Sequence, residues 1–397
     1  MTVPSFFRYT PAASRVIVGR GALERLGEEA GRAGVARALV VCGQSVATKT
    51  DLVERAQAAL GERYAGVFDG VEAESPLPAV AAGVAAAREA EADGLVAIGG
   101  GSAVVTARAI VMLLAEQGDV HDLCTQYPPG GRPVSPRLMA PKIPNLLVLT
   151  TPTTAAGRTA SAILDPVQRR RLELFDPKTR AAAILCDAGA LLTAPARLAL
   201  STAAWTLAGV VDGIQSPDLN ALGEADLRQA LRLLRAAMPL VAQEPANPEP
   251  RLDLAVAAVL CNRAGDAGNA ARGGAMTALV HLLQVHHRVP QGVAASALLA
   301  SVLRSQRTEF PAGQARLGEV MGVSRPGMSD EAAAGAAEEA LRALLGQAGL
   351  PRRLRDLRIP LEKLEAAADA AGHDFFFSTA SGSGGPQRLL AVLREAW

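Results

Sequence analysis

The chain of 397 residues has little net charge, few cysteines, few lysines and no long apolar run, and each shortage closes off a class of function. Lysine plus arginine total 40 against 39 aspartate plus glutamate, so bulk charge gives no pull toward nucleic acid or an anionic membrane. Lysine occurs only at Lys49, Lys142, Lys178 and Lys363; the remaining basic residues are arginine. With the very high alanine content, that is a compositional bias and not a binding signal. The cysteines, Cys42, Cys124, Cys186 and Cys261, are far apart and form no C-x-x-C pair, which removes a disulfide framework and a zinc ribbon. No uninterrupted apolar run is long enough to span a bilayer, and the opening MTVPSFFRYTPAASRV lacks a basic stretch followed by an apolar core. The expectation is a soluble, cytoplasmic protein acting on a small molecule. Its length is generous for one domain and comfortable for two.

What is present centres on GLVAIGGGSAVVTARAI, residues 94–110. Residues 95–98 read as a buried strand that breaks into Gly99, Gly100, Gly101 and Ser102, and an Ala/Val-rich helix follows. A strand that turns through glycines into a helix start aims free backbone N–H groups and a positive dipole end at one spot, which suits a phosphate. The glycines let the backbone approach a ligand with no Cβ in the way, and Ser102 can both cap the helix and donate to a phosphate. On the residues alone, a tight turn without a ligand explains the run equally well.

Around it the first half alternates. Strands are expected at 15–18, 37–42, 64–68, 145–151 and 182–187, and helices at 21–33, 51–60 and 76–90, the last opening on a proline. Strand and helix at this spacing argue for a doubly wound, mostly parallel sheet covered on both faces, with ligands at the carboxyl ends of the strands. The Pro/Gly-rich connection between Asp119 and Asn145 reads as a flap or inserted loop. From about Pro195 the pattern changes to successive helices, expected at 195–214, 224–241, 251–269, 273–287, 293–307, 330–348, 361–371 and 386–397. The division is an α/β domain over 1–190 and an all-α domain over 191–397, with the cleft between them the default place for a site.

The order of motifs resembles the iron-containing alcohol dehydrogenase family, most closely its maleylacetate reductase branch, within the wider dehydroquinate synthase-like fold. The resemblance rests on FRYTPAASRVIVGRGALERL, VFDGVEAESP, IGGGS, TTPTTAAG at 150–157, the strand ending at Asp187, STAAWTLAGVVDGIQS and LVHLLQVHHRVPQGVAAS, and it covers essentially the whole chain. It implies a dinucleotide, NAD or NADP, with its pyrophosphate on residues 99–102 and Thr150, Thr153 and Thr154 along the nicotinamide-ribose side. It also implies a homodimer. Threonine hydroxyls can bond ribose and phosphate oxygens, although a strand with threonines on its polar face accounts for them too. The strand end Val40-Val41-Cys42-Gly43 is uncharged and does not choose between the two cofactors.

Departures from the family pattern carry as much information. The family holds a divalent ion with an Asp and a His one helical turn apart, joined by two later His; the spacing puts both first ligands on one helix face. Here those positions read Trp205 and Gly209, the third reads His281, and the fourth reads Gln291 in VPQG. One neutral imidazole does not hold a divalent ion, so no metal is expected. The adjacent His286 and His287 point in different directions on a helix and suit a solvated helix end. Without the resemblance, His281 in ALVHLL would read as a hydrogen-bonded core histidine. After the glycine turn the family's Asp and Lys are Val105 and Arg108, and its Ser-Glu is Arg158 and Thr159. Arg158 reads equally as a surface arginine or as an anchor for a carboxylate or phosphate.

In the metal-bearing members the cation polarises the reacting oxygen while the nicotinamide trades a hydride. A proton donor or a guanidinium can substitute, with His281, Arg158 and Asp212 as candidates. The leading expectation is a metal-independent NAD(P)-linked oxidoreductase acting on a small carbonyl or activated alkene. The alternative is a biosynthetic elimination, cyclisation or isomerisation on the same scaffold, in a pocket walled by Trp205, Gly209, Gln291 and His286. A third reading, a catalytically silent binding partner, fits poorly with a retained GGGS turn.

Overall fold

A computed structural model describes residues 14–128, 133–168, 170–269, 274–372 and 385–397. These fall into two compact units, and the chain passes from one to the other between Ala194 and Pro195.

The first unit carries β1 (Arg15–Gly19), β2 (Ala38–Cys42), β3 (Tyr64–Phe68), β4 (Gly94–Gly99), β5 (Asn145–Leu149), β6 (Ala160–Asp165), β7 (Arg170–Phe175) and β8 (Ala183–Asp187). A six-stranded sheet takes the order β1-β8-β5-β4-β2-β3, and every pairing in it is parallel. All residues of β2, β4, β5 and β8 are buried. That burial matches their unbroken apolar sequences and requires cover on both faces. The cover comes from α1 (Leu26–Arg32), α2 (Gln44–Lys49), α3 (Leu52–Leu60), α4 (Leu77–Glu89), α5 (Gly101–Ala115), α6 (Val120–Leu123) and α7 (Ala188–Thr193). Leu23, Leu26, Leu52 and Leu60 meet Val40, Val96, Leu146 and Leu185 on one face. Near the sheet, α4 and α5 pack closely enough that a Cβ at Gly83 would stand 2.4 Å from Ile110 Cδ1.

One feature of this unit differs from the sequence expectation. β6 and β7 form an antiparallel hairpin where only a connection was expected. Their alternating burial gives the period-2 signal, but each is a short strand beside the glycine-threonine motif that dominates the region. Among its described residues, the stretch after Asp119 holds the one-turn α6 and a bridge between Gln126 and Val134, as suits a Pro/Gly-rich flap.

The second unit is helical: α8 (Ala196–Gln215), α9 (Ala221–Gln243), α10 (Glu249–Ala264), α11 (Gly274–His287), α12 (Gln291–Ser305), α13 (Pro311–Val320), α14 (Asp330–Gln347), α15 (Leu364–Gly372) and α16 (Gly385–Ala396). Helical spacing of apolar residues builds its core; in α9 the buried stripe is Leu227, Leu231, Leu234, Met238 and Val241. The expected helix over 251–269 is α helix only to Ala264 and widens into a π turn over Gly265–Asn269. Asn220 Nδ2 donates to the Ala267 carbonyl at 2.6 Å there. α13 was not expected, because PAGQARLGEV carries glycines and little apolar periodicity. Among the described residues no helix is long and apolar enough to cross a membrane.

Candidate active site

β4 and β5 end level with each other. Gly99 lies opposite Leu149, and Thr150 N–H donates to the Gly99 carbonyl at 3.0 Å. The glycine turn and the threonine strap are therefore neighbours at the carboxyl edge of the sheet, where ligands of parallel sheets collect. Gly99 has φ +154°, a conformation side chains avoid, and a Cβ there would stand 2.7 Å from the Ala103 Cβ. At Gly100 a Cβ would stand 2.8 Å from Thr151 Oγ1, and at Gly101 3.4 Å from Thr153 Oγ1. Gly100 is the N-cap of α5, and no side chain caps the helix. The first-turn N–H groups therefore lie where an anion is held at other helix starts. A nicotinamide dinucleotide fits this cradle: small residues where its phosphates would lie, free backbone donors, and hydroxyls beside them.

The threonines are all buried: Thr150, Thr151, Thr153 and Thr154. Thr153 also shapes the strap, since its Oγ1 accepts from Ala155 N–H at 3.1 Å and starts the 3-10 turn Thr154–Gly157. Thr151, which sequence reasoning passed over, is the residue closest to Gly100. Ser75 was missed as well. Its hydroxyl donates to the Ser102 carbonyl at 3.2 Å and accepts from Thr106 Oγ1 at 2.9 Å, so it clamps the first turn of α5. Ser75 and its neighbour Glu74 both hold positive φ, 52° and 64°, which is costly for residues with a Cβ. A serine just before the proline that opens α4 was the one available signal.

Arg108 is fully buried on α5. Its Nη2 donates to Ala155 O at 2.7 Å and its Nη1 to Ala160 O at 3.0 Å. Burial, with Arg158 and Arg180 adding repulsion, pushes its pKa down to about 9, so it keeps its charge at neutral pH. Arg158 itself is exposed, directly after the 3-10 turn.

In the helical unit, Trp205, Gly209 and Asp212 lie on one stripe of α8, each half-buried. Trp205 packs on the helical core, and a Cβ at Gly209 would stand 3.4 Å from Cys261 Sγ on α10. Asp212 accepts from Gln215 Nε2 at 3.4 Å. The start of α12, with Gln291 first, presses on α8 one turn before Trp205: a Cβ at Gly292 would stand 1.6 Å from the Ser201 carbonyl oxygen. Trp205, Gly209 and Gln291 thus share one region of this unit. His281 sits half-buried on α11, and His286 is exposed in the last turn of that helix. The charged form of His287 is disfavoured by burial, by His286 and by Lys363, so the helix-end role expected for an imidazolium does not suit it.

A family model described as iron-containing alcohol dehydrogenase matches residues 13–188, and one for the C-terminal part of the same family matches residues 210–397. Lactaldehyde reductase of Escherichia coli is 31% identical over 369 residues, which cover 90% of this chain and 91% of that one. The chain belongs to the iron-containing alcohol dehydrogenase family. Maleylacetate reductase 2 of Cupriavidus pinatubonensis is 27% identical over 331 residues, covering 82% of this chain and 80% of that one. The crystal structure of a 1,3-propanediol oxidoreductase superposes with a TM-score of 0.88 at 25% identity, covering 99% and 100% of the two chains. That of maleylacetate reductase from Rhizobium sp. gives 0.80 at 22%, covering 99% and 98%. These place the parallel-sheet α/β domain and the helical domain within the family's fold.

The family's name carries an iron, and the donor set at the four positions the resemblance supplies does not fit a divalent ion. The Trp205 indole offers only an N–H, Gly209 has no side chain, and Gln291 offers a neutral amide; His281 alone is a strong ligand. Among the described residues, no three of His, Cys, Asp or Glu are grouped as an ion would require.

Proposed function

We propose that this family member is an oxidoreductase that works with NAD or NADP, without a divalent ion, on a small carbonyl compound or an activated alkene. Membership of the family supports redox chemistry. The observation that carries the cofactor reading is the uncapped start of α5, with Gly100 held against Thr151. When bound, a nicotinamide dinucleotide supplies the hydride donor or acceptor. In this reading the N–H groups of residues 99–102 bind pyrophosphate, and the hydroxyls of Thr150, Thr153 and Thr154 bond ribose and phosphate oxygens.

Metal independence rests on the residues that replace the ligands. Charge developing on the reacting oxygen must then be met by a side chain, and we assign the proton to His281, with Asp212 as a further acid/base candidate. A carbonyl conjugated to an alkene, or an iminium ion, needs less polarisation than a simple ketone and suits such a site. The test is titration of the purified protein with NADH and NADPH, read by nicotinamide fluorescence and thermal shift, beside elemental analysis. Saturable binding of one cofactor and no stoichiometric zinc or iron are expected. If neither cofactor binds, the redox reading is lost, and elimination, cyclisation or isomerisation on this scaffold takes its place.

A further inference from the structure

The threonine strap lies on the β5 side of the glycine turn, and on the other side the sheet continues through β2 to β3. Cys42 at the end of β2 pairs with Ile98 of β4, and Val41 pairs with Phe68 of β3. Asp69, the next residue, thus stands level with Cys42 on the same carboxyl edge as the turn. Neighbouring strands are about 4.8 Å apart, which puts Asp69 about 10 Å along that edge from Gly99. With pyrophosphate at the turn and nicotinamide toward the strap, the adenosine half of a dinucleotide runs the other way, over the ends of β2 and β3.

That end of the edge is closely built. The loops after β2 and β3 meet in a bridge between Gly43 and Gly70, and Val71 N–H donates to the Cys42 carbonyl at 3.1 Å. A Cβ on Gly43 would stand 3.2 Å from the Val71 carbonyl oxygen, and one on Gly70 2.7 Å from the Phe68 ring. Asp69 is therefore held between a strand end and a pinned glycine, with its side chain exposed. Burial pushes the Cys42 thiol up to about 11, and the nearby Asp69 charge adds to the effect. Among the described residues no cation pairs with Asp69. The surrounding sequence supplies none: residues 40–48 and 66–76 contain Asp69, Glu72 and Glu74 but no arginine, lysine or histidine.

An ionised carboxylate accepts from two hydroxyls at once, and an adenosine ribose offers two when its 2′ and 3′ groups are free. A 2′-phosphate replaces one of those donors with negative charge. Facing three acids and no cation, that charge is repelled. We propose that Asp69 selects NAD over NADP by accepting hydrogen bonds from the adenosine ribose hydroxyls. This rests on the reading of the glycine turn as a dinucleotide cradle, and deepens it by naming the cofactor. The acid that the strand end at residues 40–43 lacks is supplied by the next strand over, which sheet order reveals and sequence separation hides.

The experiment titrates the full chain with NADH and with NADPH at matched ionic strength, read by nicotinamide fluorescence, for the wild type, Asp69→Asn and Asp69→Glu. The wild type is expected to bind NADH at least about tenfold more tightly than NADPH. Asp69→Asn keeps the shape and removes the charge, so the two affinities should come within about threefold of each other. Asp69→Glu keeps the charge and should retain the preference for NADH. Asp69 is exposed, so both variants should fold, and their melting temperatures check this. Equal binding of the two dinucleotides by the wild type, tighter binding of NADPH, or a ratio unchanged in Asp69→Asn would overturn the role of Asp69 and leave the dinucleotide reading intact. Loss of the preference in Asp69→Glu as fully as in Asp69→Asn would assign the effect to packing of the loop and overturn it too. If the wild type binds neither dinucleotide, the oxidoreductase reading itself falls, and the role of Asp69 falls with it.

Discussion

The position a Cβ would take on Gly100 lies 2.8 Å from Thr151 Oγ1, so the turn that starts α5 and the strap that follows β5 are packed at a distance only glycine permits. A contact that short cannot stand, so the Thr151 hydroxyl must turn away or one of the two backbones must move when a methyl group is added. Gly100→Ala should therefore weaken NADH or NADPH binding at least tenfold, read by nicotinamide fluorescence. The double variant with Thr151→Ala removes the obstructing oxygen and should recover most of the affinity. A single variant that binds as the wild type does would sever the link between this contact and the cofactor.

The ligand positions allow a reconstruction. Trp205→Asp, Gly209→His and Gln291→His together restore the four donors around His281, and Cys261→Ala makes room for the new side chain beside Gly209. The combined variant should bind about one zinc or iron per chain, measured by elemental analysis after dialysis, whereas the wild type should carry none in stoichiometric amount. Stoichiometric metal in the wild type would overturn the metal-independent reading directly.

His281→Ala should lower the turnover rate by at least about tenfold, toward the range typical of a lost general acid, while cofactor affinity stays where it was. Steady-state kinetics beside a cofactor titration separates the two quantities. An unchanged rate would leave His281 as a packing residue of α11.

Asp187 ends β8 and is buried. It accepts from Leu23 N–H at 3.3 Å, from Ala190 N–H at 3.0 Å and from Arg55 at 3.1 Å. Burial works to raise its pKa, but those backbone donors and the Arg55 guanidinium together hold it below the ordinary carboxylate value. Asp187→Ala should cost about 2–4 kcal/mol in denaturant titrations, since it strands the buried N–H donors of Leu23 and Ala190 and leaves Arg55 with Glu24 as its partner. A group with a depressed pKa contributes its full share above its ordinary value and loses it as pH falls through the depressed one. The gap between wild type and variant should therefore narrow only in strong acid.

His121 bridges two carboxylates, with Nε2 3.0 Å from Asp165 and Nδ1 2.7 Å from Asp119. The bond to Asp165, then that to Asp119, raises its pKa above the ordinary histidine value. Its contribution to stability is complete below that ordinary value and fades as pH rises through the raised one. Melting temperatures of wild type and His121→Gln should differ most in mild acid and converge in mild alkali. A pH-independent difference would mean the ring acts through packing.

Much of the fold was set by local sequence. Unbroken apolar runs such as LVAIG and NLLVL give parallel strands, the stripe of leucines along α9 gives a core-facing helix, and the glycine turn marks the ligand edge. Tertiary structure alone decided what those local pieces touch. That Thr151 and not Thr150 closes on Gly100, that Ser75 clamps the helix start in a strained backbone, and that Arg108 spends its donors on carbonyls 47 and 52 residues away carry no local signal. Periodicity reports which face of an element is apolar. Which partner that face meets depends on how the chain closes over long separations, and no local pattern carries that.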